Sequence, residues 1–348
     1  MLSVKNISEK EWNNALENYP EANFLQSYWW KKLHDDLNMK TNAVAFCRDD
    51  KIVGVALIVI KDAKRGRYLE ISAGPLMNWE DEGLAKFVTQ QIKKIAKKEK
   101  AVFARIRPQL LKSKDAEKIF AKLGYKKAPM HLHAEHTSIL NLSQSEEEIL
   151  KNMRRQTRYE VRKADKINIT VECFPAQEKI DQFIALQNKT ARRQGFITSS
   201  EKFLKTLATT FKNNAQIYVS SINTNSEESN ANANDAEVLN MGLILKSGQE
   251  VDYFEAASSE ISYSYPGAYG LLWQTIKDTK NEGYKRFNFW GISYNNDPHN
   301  RYAGVTTFKK GFGGESVTYV PAQDLIINPV KYSLDWLIET VRRKKRRL

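Results

Sequence analysis

Lys309 is the position best suited to charge chemistry, because it lies between an aromatic residue and a glycine-rich run. Its surroundings read Phe289-Trp290-Gly291-Ile292 and then Arg301-Tyr-Ala-Gly-Val-Thr-Thr-Phe308-Lys309-Lys310-Gly311-Phe312-Gly313-Gly314-Glu315. A lysine fixed by an apolar neighbour and a glycine turn can aim its ammonium into a cleft. There it stabilises a developing oxyanion, an effect worth about 3 to 4 kcal/mol. The same residues also fit an aromatic turn with solvated lysines, and spacing alone leaves both open. His131-Leu-His133-Ala-Glu135-His136 invites a metal reading, since alternate strand positions would share a face. The segment lacks the helical HExxH spacing and any second ligand cluster, so structural histidines are expected and no metal. A coenzyme A pyrophosphate calls for backbone N–H groups at a helix start. The two strand-to-helix turns, Asn78-Trp-Glu-Asp-Glu-Gly83 and Tyr265-Pro-Gly-Ala-Tyr-Gly270, lack that glycine arrangement, and the first is acidic. This disfavours an acyl-CoA-dependent N-acyltransferase.

Two segments concentrate positive charge. Ser145 followed by three glutamates marks a capped helix start, predicting one helix over 145–166. Leu150, Met153, Thr157, Val161 and Ala164 form its apolar face, and Lys151, Arg155, Arg158, Arg162 and Lys166 its basic stripe. A helix beginning near Tyr332 carries Leu334, Leu337, Ile338 and Val341 on one side and runs into Arg342-Arg-Lys-Lys-Arg-Arg347. Such a tail can gather RNA or hold the chain against acidic lipids. The formal net charge of +13, from 54 Lys and Arg against 41 Asp and Glu, favours anionic partners. A non-enzymatic RNA- or membrane-docking module is therefore a further alternative.

The elements that position these residues occur twice. Gly54 and Gly242, Phe120 and Phe308, His136 and Asp324, and Arg154 and Arg342 are all separated by 188 positions. Around them recur an apolar strand (52–60 and 238–245), a helix (with Leu84, Phe87 and Ile92, or Leu271, Leu272 and Ile276), an aromatic strand (102–107 and 286–290), a phenylalanine- and glycine-containing turn and a last strand. That order predicts mixed α/β sheets in two domains of one fold with a groove between them. The 348 residues suffice for two cores. Residues 222–236, rich in Asn, Ser and Glu, read as a mobile hairpin loop between strands. Cys47 and Cys173 show no ligand spacing and are expected as buried thiols in a reducing compartment. The longest apolar run, nine residues, is too short to span a bilayer, and the first residues lack a secretory pattern; a cytoplasmic location is expected.

Taken in order, several motifs resemble the FemA/FemB/FemX family of peptidoglycan bridge-forming aminoacyltransferases along the full chain. They are Phe24-Leu-Gln-Ser-Tyr-Trp-Trp30, Arg65-Gly66 with Gly74-Pro75, His136-Thr-Ser-Ile-Leu-Asn-Leu142, Glu147-Glu148-Ile-Leu-Lys-Asn-Met153, Thr157-Arg158-Tyr159-Glu-Val-Arg162, Arg193-Gln-Gly-Phe196, Phe289-Trp290-Gly-Ile292, Phe308-Lys-Lys-Gly-Phe-Gly-Gly314 and Asp324-Leu-Ile-Ile-Asn-Pro329 with Tyr332. The resemblance implies two tandem GNAT-like acyltransferase domains around an interdomain groove: residues 1–144 completed by 316–348, and 145–315. It implies an amino acid moved from aminoacyl-tRNA to the stem amine of lipid II or UDP-MurNAc-pentapeptide, without a cofactor, with possible contact to the inner membrane face through the basic tail. Lys309 would be the catalytic cation. Arg158, Arg162 and Trp290 would lie on the substrate side, with His34 and Arg107 in the acceptor-binding half. His34 stands where some members have a precursor-binding lysine, and Arg107 where some have an acid. No charged helical hairpin is inserted in the second half, so the armless form is expected.

Overall fold

The computed structural model describes residues 1–64, 66–223, 236–294 and 302–346, with side chains to residue 343. Of the segment read as a mobile loop, 222–236, residues 224–235 lie outside the described residues, as do Arg65 and Arg301. The chain forms two compact units, Met1–His136 with Val317–Leu348, and Thr137–Ser316.

The first unit contains β1 (Leu2–Asn6), α1 (Glu9–Leu16), α2 (Tyr28–Asp36), β2 (Thr41–Arg48), β3 (Lys51–Ala63), β4 (Gly66–Ser72), β5 (Leu76–Met77), α3 (Glu82–Lys98), β6 (Phe103–Arg107), α4 (Lys114–Lys122) and β7 (Lys126–Lys127). The chain continues through β8 (His136–Asn141), α5 (Glu146–Asn152), α6 (Arg155–Lys166), β9 (Thr170–Pro175), α7 (Ala176–Gln194), α8 (Glu201–Phe211), β10 (Ala215–Ile222), β11 (Glu237–Ser247), β12 (Glu250–Ser258), α9 (Gly267–Asn281), β13 (Arg286–Gly291), α10 (Ala303–Lys310) and β14 (Glu315–Thr318). It closes with β15 (Gln323–Ile326) and α11 (Pro329–Arg346).

The two sheets have the same plan. One runs β1-β2-β3-β4-β6-β15-β7, with β5 branching from β3, and the other β9-β10-β11-β12-β13-β8-β14. Each has a parallel pair at the same rank, β4 with β6 and β12 with β13. The final inserted strand is exchanged along the sequence: β15 completes the first sheet and β8 the second. The mixed α/β architecture read from the repeat is thus present, and the paired glycines occupy equivalent strands. Each admits a close neighbour. A Cβ on Gly54 would lie 3.1 Å from Met77 Cβ, and one on Gly242 2.9 Å from the Tyr253 ring.

Burial explains the strands and helices. Val55 to Ile60 are buried at every position, as in a strand covered on both faces. Asp81 caps α3 by accepting from the Leu84 N–H at 2.9 Å, and Leu84, Ala85, Val88, Ile92 and Ala96 then enter the first core. The second core gathers Ile149, Met153, Val161, Leu271, Leu272, Ile276, Phe287, Phe289 and Phe312.

Several expectations are corrected. The helix expected over 145–166 is two helices, because Met153 and Arg154 adopt extended ψ values of 147° and 141°. The Arg154 N–H is taken by the Gly311 carbonyl at 2.8 Å rather than by the preceding turn. Phe120 and Phe308 lie within α4 and α10, so the expected turns begin only after helices. His131, His133 and Glu135 precede β8 and do not share a strand face. Cys47 is buried, whereas Cys173 is exposed. Of the four apolar residues placed on one side of α11, with no direction assigned, Leu334, Leu337 and Val341 are exposed by 58%, 55% and 58%, and Ile338 is half-buried.

Candidate active site

In the second unit, Lys309 occupies the last turn of α10 and is buried. Its Nζ donates to the Gly291 carbonyl at 3.0 Å and lies 5.9 Å from the centre of the Tyr253 ring. No carboxylate pairs with it among the described residues. Burial alone pulls its pKa from the usual lysine value down to about 8. The accepting carbonyl is held by an unusual backbone. Pairing between β13 and β8 shifts register between Asn288 and Gly291, and Trp290 takes a left-handed φ of 60°, a conformation that costs a bulky residue on the order of 1 kcal/mol or more. The Trp290 N–H donates to Asn288 Oδ1 at 2.9 Å, and Asn288 Nδ2 donates to Glu250 Oε1 at 3.0 Å. Glu250 in turn pairs with Arg286 at 2.6 Å, and Thr137 also bonds Asn288 Oδ1. This buried network fixes the bulge that presents Gly291 to Lys309. Trp290 packs edge-on to Phe254, with ring centres 6.2 Å apart.

The glycines after Lys309 are places of close approach. A Cβ on Gly311 would sit 2.2 Å from Thr157 Oγ1, one on Gly313 2.8 Å from the Asn152 carbonyl oxygen, and one on Gly314 2.6 Å from Ser138 Oγ. The glycine-rich run therefore locks the end of α10 against α5, α6 and β8. Arg158 belongs to the same joint: its Nη1 donates to the carbonyls of Leu150, Lys151 and Met153 at 3.0, 2.9 and 3.3 Å, closing the C-terminus of α5. Arg162, one turn further along α6, is exposed and borders a depression with Glu147, Lys151 and Arg158. A second depression beside α10 is lined by Glu160, Lys163, Tyr265, Tyr269 and Phe308.

The first unit holds His34 and Arg107. Gln26 is fully buried, donating to the Ser72 carbonyl at 2.6 Å and accepting from the Leu57 N–H at 2.9 Å, which ties the start of α2 to β3 and β4. Ser27 caps α2. Trp30 and His34, four residues apart, then share its inward face, their rings edge-on at 5.0 Å. Burial first, then the nearby Lys61 charge, lowers the His34 pKa to about 3, so its ring is neutral. Neither ring nitrogen has a hydrogen-bond partner among the described residues. His133, read from the sequence only as a structural histidine, also meets Trp30 edge-on at 6.4 Å and lies 3.9 Å from Glu70 Oε1. Burial first, then Arg107, Lys61 and His34, lower its pKa to about 3 as well. Arg107 is buried on β6, donating to Gln109 Oε1 at 2.7 Å, with its guanidinium over Tyr319 at 5.4 Å. The buried His34 and Arg107 and the half-buried His133 thus share one polar region. The sequence held its signal in the histidine cluster, but only the fold picks out His133.

A neighbouring motif is structural. Arg105 grips Asp324 with two hydrogen bonds of 2.7 and 2.8 Å and reaches Glu339 at 2.8 Å, while the Tyr332 hydroxyl donates to Asp324 at 2.8 Å. Burial opposes the Arg105 charge, and the two carboxylates outweigh it, raising its pKa. The Asp324 to Tyr332 segment therefore anchors α11. Among the described residues no His, Cys, Asp and Glu cluster is arranged to hold a metal, and no helix is long and apolar enough to cross a membrane.

Aminoacyltransferase FemA of Staphylococcus aureus is 20% identical over 92% of this chain and 94% of its own length. A crystal structure of FemX superposes with a TM-score of 0.84 over 95% of this chain and 99% of that one, at 19% identity. A tandem GNAT protein from the clavulanic acid pathway superposes with a TM-score of 0.56 over 94% and 99%, at 7% identity; these two likenesses establish the fold, that of tandem GNAT-type domains. The family model described as FemAB family matches residues 7–234 and 224–340, so the chain belongs to the FemAB family, and it is an aminoacyltransferase.

Proposed function

We propose that this enzyme moves an amino acid from aminoacyl-tRNA to the peptide-stem amine of a peptidoglycan precursor, lipid II or UDP-MurNAc-pentapeptide. The observation that carries the reading is Lys309: a desolvated ammonium without a carboxylate partner among the described residues, held by one carbonyl on a strained bulge. A buried charge left in this state is unfavourable for stability and serves a passing negative charge. The acceptor amine attacks the ester carbonyl, forming the C–N bond. Lys309 stabilises the tetrahedral oxyanion, and collapse breaks the C–O bond to the tRNA ribose, whose oxygen takes up a proton as the amine loses one. The ester is already activated, so positioning and charge stabilisation supply the catalysis. Arg162 and the other cations of α6 suit an anionic substrate. In the first unit, Arg107 with the neutral rings of His34 and His133 forms the proposed acceptor-side lining. The basic tail is proposed to bring the enzyme to the inner face of the membrane.

The test incubates the protein with labelled aminoacyl-tRNA or labelled acetyl-CoA and, in turn, each precursor. Amide product from charged tRNA alone is expected; label transferred only from acetyl-CoA would replace this reading with that of a CoA-dependent N-acyltransferase.

A further inference from the structure

Helix α11 is anchored to the first unit through few residues. Tyr332 and Asp335 are buried there, the Tyr332 ring packing edge-on to Phe103 and its hydroxyl bonding Asp324, and Glu339 pairs with Arg105. The opposite face carries Val330, Leu334, Leu337 and Val341, spaced by four, three and four residues and exposed by 83%, 58%, 55% and 58%. That spacing aligns them in one stripe along the helix. Exposed Lys331 and Arg342 flank the stripe, and the sequence continues in an unbroken basic run from Arg342 to Arg347. The acidic residues Asp335 and Glu339 lie toward the body of the unit.

We propose that this outward stripe of α11 docks on the surface of an anionic lipid bilayer, with the apolar side chains entering the acyl boundary and the flanking cations meeting the head groups. A second copy of the chain would cover the stripe but leave the flanking cations without a counter-charge. A nucleic acid would satisfy the cations and leave four large apolar side chains in water. An anionic membrane matches both features at once. Docking would place the enzyme where a lipid-linked acceptor is found; that purpose rests on the proposed acceptor, whereas the docking itself does not.

The experiment is flotation of the full-length protein with vesicles of phosphatidylcholine alone or mixed with phosphatidylglycerol, with neither tRNA nor precursor present. The wild type should float with the mixed vesicles and not with the neutral ones. Replacing Leu334, Leu337 and Val341 together by serine should lower partition about tenfold or more with an unchanged urea midpoint, and R342Q with R343Q should lower it as well. Transfer by the serine variant to a nucleotide-linked acceptor, without vesicles, should match the wild type. Equal flotation of the serine variant, equal binding to neutral vesicles, or a dimer that the serine changes dissolve would each overturn the proposal, as would loss of that vesicle-free transfer. If the wild type floats but transfers nothing from charged tRNA, docking stands and the proposed reaction falls.

Discussion

The ammonium of Lys309 makes opposite demands on stability and on chemistry, and both are measurable. Lys309→Met would remove the proposed oxyanion contact and should lower turnover a hundredfold or more, read as single-turnover amide formation from charged tRNA. The same change should stabilise the fold at pH 7. With a folded pKa of about 8 against the ordinary 10.5, the unfolded chain holds more protons between these values, so the wild type gains stability as pH rises through that window, by on the order of 3 kcal/mol in total. Urea midpoints of the two proteins should therefore differ most at pH 7 and approach one another as pH rises from 8 toward 10.5; a constant difference would show that burial does not burden this lysine. His34 has the same sign in another window. Its folded pKa of about 3 lies below the ordinary 6.5, so the stability it contributes is present above pH 6.5 and is lost as pH falls toward 3. His34→Leu should flatten part of the acid limb between pH 6.5 and 5 in denaturation curves, leaving the share due to His133. An acid limb identical to wild type would mean that the ring already finds a proton partner in the fold.

At the scale of elements, the joint between α10 and α6 leaves no room for a side chain at Gly311. Gly311→Ala should destabilise by about 1 to 3 kcal/mol, since the new methyl would overlap Thr157 Oγ1. Thr157→Ala in the same chain should recover much of that loss; a double variant no better than G311A would mean that the strain lies in the backbone. This joint also explains what the sequence could and could not reveal. The repeated Gly54 and Gly242 marked equivalent strands because a β-strand displays its pattern locally, through alternation and the need for space. The break at Met153 and Arg154 carries no proline or glycine; it is imposed by Gly311, more than 150 positions away in sequence, and so had no local signal. Arg158 was read among the cations of a basic stripe, yet its Nη1 is engaged by the end of α5, because a guanidinium suited to phosphate is equally suited to helix carbonyls. Lys309 stood out in the sequence by its aromatic and glycine neighbours, and the fold buries it, while its helix was missed: α10 is short, contains Gly304, Val305, Thr306 and Thr307, and has weak intrinsic propensity. The outward apolar stripe of α11 follows the helical period, and only tertiary structure shows which way it points.

At the scale of the whole chain, the exchanged strands make the two units unequal as independent folding bodies. Residues 136–318 contain all seven strands of the second sheet, β14-β8-β13-β12-β11-β10-β9, so a protein limited to them has no missing ladder. Residues 1–136 lack β15, which belongs between β6 and β7. Without it β6 becomes an open edge, and Arg105 loses Asp324 and Glu339, leaving an uncompensated buried charge worth about 3 to 5 kcal/mol. That is a large share of a domain's net stability. The fragment 136–318 should therefore unfold in one cooperative transition, whereas 1–136 should give a non-cooperative melt and dispersionless amide spectra. Supplying residues 317–348 through a short linker after residue 136 should restore cooperative unfolding, and the same linked protein carrying Asp324→Ala should lose it again. A cooperative melt of 1–136 alone would show that the first sheet closes without its exchanged strand, and that the Arg105 network is dispensable.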